Sequence, residues 1–168
     1  IKYYSKGRIV MAKIMSGNWN DLPWMPNHSK DVNGKVMCKT KCFAMECANL
    51  LYNMGEMENG MPIGQHCHKH EQIATCIQGE VDYVVDGIPY RLTPGGWVNV
   101  PPYYPHYAHV YRSPVPCQQC DVFYPARPNT SNAYKKWLKE EYGIDWDAGG
   151  IEVPDLTGPK NPDDEIRE

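Results

Sequence analysis

The chain has 168 residues, a length typical of one domain that buries a hydrophobic core of its own. Its 17 basic and 20 acidic residues are intermixed and leave a formal net charge of -3, so no basic stripe is available for nucleic-acid phosphates. No apolar run reaches the ~18 residues of a membrane span, and no signal peptide is readable. The 7 cysteines are an odd number, which favours free thiols over disulfides. We therefore expect a cytoplasmic protein that binds neither nucleic acid nor a membrane.

The predicted organisation has three parts. Residues 1–34 form an N-terminal extension that we expect to pack on the following domain or on a partner subunit. Residues 35–125 contain short alternating or β-branched segments between glycines and prolines, a pattern typical of an all-β sandwich or barrel. The predicted strands are residues 36–41, 43–53, 65–70, 72–77, 80–85, 88–92, 97–100, 106–111 and 117–124.

Turn and helix signals complete the prediction. Asp86 and Gly87 tolerate the positive φ of a type I′ turn and predict a tight hairpin, and residues 94–96 predict a second turn. The third part, residues 126–168, begins with a predicted helix at 133–142, which follows the N-cap oxygens of residues 130–132 and ends before Gly143. From residue 147 the chain is an acidic tail rich in proline and glycine.

Histidines cluster in two segments of the predicted barrel. His66 and His68 stand two apart on a predicted strand and therefore project from the same face. His106 follows a proline-stiffened turn and can approach them from a neighbouring strand. Three imidazoles that meet at one point are ligands for a first-row divalent ion, so the sequence predicts a metal site in the barrel.

Both segments resemble the two motifs of the cupin family, G-x5-H-x-H-x3-E-x6-G and G-x5-P-x-G-x2-H-x3-N. The positions that fit the motifs are Gly60, His66, His68, Gly79, Gly96 and His106. The chain departs from them at Gln72, which takes the glutamate position, at Pro102 in place of glycine, and at Val110 in place of asparagine. The resemblance implies a double-stranded β-helix, the cupin jelly-roll barrel, with one divalent metal ion, manganese or zinc being favoured over iron or nickel.

The fourth ligand has two candidates. Gln72 is in register with the motif, and a neutral amide would leave the full charge of the dication available as a Lewis acid. Glu71 is one position early, and a carboxylate there would give a less electrophilic site. His70 is an additional imidazole close to the predicted metal. It is expected to hydrogen-bond to a metal ligand, to act as a general acid or base, or to face solvent.

The residues around the metal motif also resemble those of small cupins that linearise 4,5-unsaturated uronates. Asp121, Phe123 and Arg127 look like that family's Asp-x-Phe-x-x-x-Arg segment, which lines the substrate site. As a mechanistic hypothesis we expect proton transfer by Asp121, His70 or Glu71, a substrate carboxylate on Arg127, packing on Phe123, and hydroxyl donors such as Tyr104 and Tyr124. The expected reaction is ring opening with isomerisation, or a lyase step, on a small anionic keto or uronate-type acid through an enolate or alkoxide stabilised by the metal.

Other chemistries fit the same motifs. A metal-dependent hydrolase or C–C lyase acting on a cyclic β-dicarbonyl or a hydroxynitrile would also pass through a stabilised anion. An Fe(II) dioxygenase and a non-catalytic cupin that binds a small molecule are further alternatives, because the barrel alone names no reaction. We expect a homodimer, with the N-terminal extension contributing to its interface.

Overall fold

A computed structural model describes residues 16–45, 47 and 49–146, together with the backbone of residues 2–5 and 8–11. The tail predicted from residue 147 lies outside the described residues. The strands are β1 Lys2–Ser5, β2 Arg8–Met11, β3 Met25–Pro26, β4 Cys38–Phe43, β5 Leu51–Met57, β6 Glu71–Gln78, β7 Val81–Val85, β8 Ile88–Leu92, β9 Trp97–Val100, β10 His106–His109 and β11 Cys117–Tyr124. A short 3-10 helix spans Trp19–Asp21, and helix α1 spans Pro128–Tyr142.

Two antiparallel sheets make up the domain. One has six strands in the order β3-β4-β5-β11-β6-β9, the other has three in the order β10-β7-β8, and β1 pairs with β2 separately. Residues that alternate along the strands point between the two sheets, for example Ala74 and Cys76 on β6 and Val81 and Val85 on β7. These side chains form the main core, and the arrangement is the jelly-roll predicted from the sequence.

The hairpin between β7 and β8 is confirmed. Asp86 and Gly87 both have positive φ, 50° and 77°, and Val85 pairs with Ile88 across the two-residue loop. Gly79, between β6 and β7, has a positive φ of 71°, and a Cβ at this position would in addition collide with Ser113, so both features require glycine. Strands β8, β9 and β11 have the bounds predicted for residues 88–92, 97–100 and 117–124.

Two strand predictions are wrong. The strand expected at 43–53 does not start where predicted: β4 ends at Phe43, Ala44 takes a left-handed φ of 51°, and β5 begins only at Leu51. Strand β5 continues through Gly55 because it is paired on both sides, with β4 and β11, and this pairing outweighs the low strand propensity of glycine. Residues 65–70 form no strand, and only the single bridge between His66 and His106 joins this loop to β10.

Helix α1 begins earlier than predicted and closes one end of the six-stranded sheet. It starts at Pro128, which suits the first helical turn, so the expected capping residues lie inside the helix, while Gly143 ends it with a φ of 68°. Tyr134 and Leu138 are fully buried in a second core cluster with Leu51 and Phe123. Within the described residues, no helix is both long and apolar enough to cross a bilayer.

We predict that Leu138→Ala lowers the free energy of unfolding by about 3 kcal/mol, because it leaves a cavity between α1 and the sheet. Denaturant titration monitored by tryptophan fluorescence measures the change. Lys136→Ala, on the exposed side of the same helix, is the matched control and should change stability by less than about 0.5 kcal/mol. Equal midpoints for the two variants would contradict the packing of α1 on the sheet.

Candidate metal centre

Three histidines converge at one end of the barrel. The nearest ligand atoms of His66, His68 and His106 all lie within 4.8 Å of one another. The centroid of the His106 ring is 4.4 Å from that of His66 and 4.7 Å from that of His68. Although His66 and His68 lie in a loop rather than on the predicted strand, paired backbone hydrogen bonds between His66 and His106 hold the loop against β10.

The backbone sets the tautomer of all three rings. Each Nδ1 lies within 2.9 Å of a backbone carbonyl oxygen: that of Gly64 for His66, that of His70 for His68, and that of Tyr104 for His106. A carbonyl oxygen only accepts, so each Nδ1 carries the hydrogen and each Nε2 keeps its lone pair. In the neutral tautomer that these bonds select, the Nε2 atom of each ring is the one available to a metal.

His106 carries the clearest sign that a ligand belongs here. Its Nε2 is buried and has no hydrogen-bond partner among the described residues. Burial is the main cause that lowers the pKa of His106 to about 4; the nearby His66, His68 and Arg127 act in the same direction, the hydrogen bond to the Tyr104 carbonyl opposes them, and the ring is neutral at pH 7. A buried, unpaired lone pair is costly in a protein interior, and coordination of a cation removes that cost.

Gln72 turns its amide oxygen toward the histidines. Its Nε2 donates to the hydroxyl of Tyr83 and to Oδ1 of Asp121, both at 2.8 Å, which fixes the orientation of the amide. Its Oε1 consequently lies 3.1 Å from Nε2 of His68. Two acceptors facing each other at this distance repel unless they share a cation, so the donor set of three imidazoles and one amide oxygen fits a divalent metal.

The other predicted polar residues of this loop lie elsewhere. Glu71, the alternative ligand and proton carrier, is exposed on the outward face of β6, because its neighbour Gln72 points inward. His70 is buried, with its Nδ1 2.7 Å from the carbonyl oxygen of Pro125, and it does not line the cavity. Its backbone carbonyl orients His68, so in this geometry His70 positions a ligand.

A cavity of about 490 Å³ adjoins the histidine cluster at His66 and contains part of the predicted substrate site. Asp121, Phe123 and Arg127 line it together with His66 and Gln72. The guanidinium of Arg127 lies 4.8 Å from the centroid of the Phe123 ring, and that ring meets the edge of His68 at 5.5 Å.

Asp121 is the carboxyl group of this cavity. It accepts hydrogen bonds at Oδ1 from the amides of Gln72 and Gln119, at 2.8 and 2.7 Å. Burial raises the pKa of Asp121 to about 6, since the loss of hydration outweighs the hydrogen bonds that favour the carboxylate.

Two predicted tyrosines do not reach the cavity, and one that was not predicted does. Tyr104 and Tyr124 are exposed and are not among the residues that line the cavity, so their role as hydroxyl donors stays a prediction. Tyr83 lines the cavity, is buried, and stacks on His106 with ring centroids 6.1 Å apart. Alternation along β7 could have identified it, because Val81 and Val85 share its inward face.

Comparisons with known proteins show what part of the chain is similar to a known family. Residues 53–123 match the family described as Cupin domain. A sequence comparison with curated proteins found no match.

Solved structures share the fold at low sequence identity. KdgF from Halomonas sp. is 24% identical with a TM-score of 0.54, and the match covers 66% of this chain and 93% of KdgF. An RmlC-like cupin from Shewanella frigidimarina is also 24% identical with a TM-score of 0.54, with 71% and 99% covered. The polyketide cyclase RemF from Streptomyces resistomycificus is 15% identical with a TM-score of 0.57, with 68% and 82% covered. Residues 53–123 therefore resemble the Cupin domain family, and the chain shares the jelly-roll fold of these structures.

Proposed function

We propose that this protein is a divalent-metal-dependent enzyme that opens and isomerises the ring of a small unsaturated acid of the uronate type. The observation that carries the proposal is the convergence of three imidazole nitrogens and one amide oxygen beside a cavity that also contains Asp121 and Arg127. The fold is shared with a polyketide cyclase, which supports catalysis in general without naming the substrate.

His66, His68, His106 and Gln72 would hold the metal, with manganese or zinc as our first expectation. When bound, such an ion supplies Lewis-acid chemistry that polarises a carbonyl or hydroxyl oxygen of the substrate. The neutral amide of Gln72 preserves that acidity, since no ligand of this set carries a negative charge.

Arg127 binds the carboxylate of the substrate in this proposal. It is a positively charged side chain on the cavity wall, and packing on Phe123 restricts its motion. A planar guanidinium can donate two parallel hydrogen bonds to one carboxylate, which fixes the orientation of the substrate as well as its charge.

Asp121 moves the proton. Opening a 4,5-unsaturated uronate ring removes the proton of the anomeric hydroxyl, breaks the ring C–O bond, and adds a proton at the former double bond. No atom is gained or lost overall, so one carboxylate that accepts a proton and returns it is sufficient. Asp121 is the cavity's carboxyl group and is not among the proposed ligands.

The proposal is tested by loading the metal-depleted protein with Mn²⁺ or Zn²⁺ and following the ultraviolet absorbance of unsaturated galacturonate or guluronate. We expect loss of the absorbance with the loaded protein and none after chelation. Oxygen uptake during the assay would indicate the dioxygenase instead, and metal binding without turnover of any uronate would contradict the proposed reaction.

The charge of the Gln72 site can be changed by one substitution. We predict that Gln72→Glu lowers kcat by about tenfold or more, because a carboxylate ligand reduces the net charge of the centre and the amide donor to Asp121 is lost. Metal affinity should be equal or higher. Gln78→Glu, exposed on the same strand, is the matched control, and indistinguishable kinetics for the two variants would exclude Gln72 as a ligand.

A further inference from the structure

Two buried polar atoms of the cavity wall have no partner among the described residues. They are Oγ of Ser29 and Oε1 of Gln119, and both side chains line the cavity. Buried polar atoms are normally paired, so an unpaired acceptor or hydroxyl that faces a cavity indicates a group supplied by a ligand or by solvent. The proposed metal does not account for either atom.

The orientation of Gln119 is fixed by Asp121. Its Nε2 donates to Oδ1 of Asp121 at 2.7 Å, and the opposite orientation would place two oxygens against each other. The side chain is 5% exposed. Its Oε1 is consequently a buried acceptor that can only take a hydrogen bond from an O–H or N–H group in the cavity.

Ser29 is held in place by backbone hydrogen bonds rather than by its side chain. The amide of Met37 donates to its carbonyl at 2.9 Å, and the amide of Asn27 donates to Cys38 at 2.9 Å. These bonds extend the pairing of β3 with β4, so a residue of the N-terminal extension forms part of the cavity wall. The hydroxyl of Ser29 is free to donate to a ligand or to accept from one.

The wall between these two residues is neutral and leaves space. Thr40, Gly55 and Gln119 lie side by side on β4, β5 and β11, and all three line the cavity. A Cβ added at Gly55 would contact nothing within 4 Å, so the row is open at its centre. Neutral donors and acceptors around an open space suit hydroxyl groups and give no compensation to a charge.

We infer that Ser29 and Gln119 form a subsite for the hydroxyl groups of a polyhydroxy carboxylate, with Gly55 providing the room for them. The inference rests on the proposed function for the placement of the carboxylate at Arg127, and it adds the recognition of hydroxyls carried by the rest of the molecule. A ligand that lacks these hydroxyls leaves Oε1 of Gln119 buried and unpaired, and its binding is weakened accordingly.

The test compares two six-carbon probes by isothermal titration calorimetry on the Zn²⁺-loaded protein. Gluconate and 2-hydroxyhexanoate have the same α-hydroxycarboxylate head, and only gluconate carries further hydroxyls. We expect gluconate to bind about tenfold more tightly or better. Ser29→Ala should weaken the binding of gluconate by about three- to tenfold and leave the affinity for 2-hydroxyhexanoate unchanged. The removed oxygen has no protein partner, so only a ligand hydroxyl loses a hydrogen bond.

Gly55→Val gives a second, steric test, because its side chain enters the open centre of the row. It should reduce gluconate binding more than 2-hydroxyhexanoate binding, with thermal melting to verify the fold. Equal affinities of the two probes for the unmodified protein overturn the subsite and leave the proposed function standing, whereas binding of neither probe counts against both. The subsite is also overturned if Ser29→Ala lowers the affinity for both probes equally, or for neither of them.

Discussion

Asp121→Asn should reduce kcat on an unsaturated uronate by about a thousandfold while the metal content stays at the level of the unmodified protein. Asparagine keeps the oxygen that accepts hydrogen bonds from Gln72 and Gln119, so the ligand and the cavity wall retain their positions. It cannot accept and return a proton, which is the role assigned to the carboxyl group. Because carboxylate binding is assigned to Arg127, KM should change by no more than a few-fold.

A matched control separates this effect from a general loss of charge. Asp82 lies on β7 and is paired with Arg91 and Tyr111 at the surface. Asp82→Asn should leave kcat within about twofold, as surface ion pairs contribute little. If Asp121→Asn kept a tenth or more of the activity, another group would have to carry the proton.

His66→Ala should lower the affinity for Zn²⁺ or Mn²⁺ by about a hundredfold or more. Removal of a residue that only hydrogen-bonds to a metal ligand already costs about 10- to 100-fold, and removal of the ligand itself should cost more. His66 is exposed, so its removal tests metal binding without the folding risk that truncation of the buried His106 would bring. Titration of the metal-depleted protein measures the affinity. The rise in melting temperature on adding metal should shrink in parallel, because that rise depends on binding to the folded state.

His109 provides the control for the metal experiment. It lies on the same strand as His106, but its ring stacks on Tyr111 with centroids 4.4 Å apart. His109→Ala should leave the metal affinity unchanged. Equal losses in the two variants would mean that the metal is bound nonspecifically by surface imidazoles.

Much of the fold could be predicted because the turn residues and the spacing of side chains along the strands agree with the turns and buried faces of the structure. The Asp86–Gly87 turn needs only the conformational tolerance of its two residues, and Asp121 and Phe123 share the inward face of β11 as their spacing predicts. The same alternation excludes Tyr124 from the cavity, since its neighbour Phe123 points inward. The hydroxyl of Tyr124 therefore lies on the outward face of β11, away from Asp121 and Phe123.

The histidine cluster could be predicted from spacing, although the reason was different from the one expected. His66 and His68 converge through a loop whose Nδ1 atoms bond to backbone carbonyls, and no strand periodicity is involved. Ser29 and Gln119 could not be found in the sequence. Their importance depends on which polar atoms remain unpaired after distant strands meet, and a single sequence contains no signal for that.

X-ray absorption at the zinc edge of the loaded protein tests the central claim most directly. The account predicts one retained zinc with nitrogen and oxygen donors only, at about 2.0–2.1 Å, and with the multiple scattering of imidazole rings. Cys67, exposed between His66 and His68, offers the alternative donor. A sulfur scatterer at about 2.3 Å, or a protein that retains no zinc, would contradict a centre built from three histidines and Gln72.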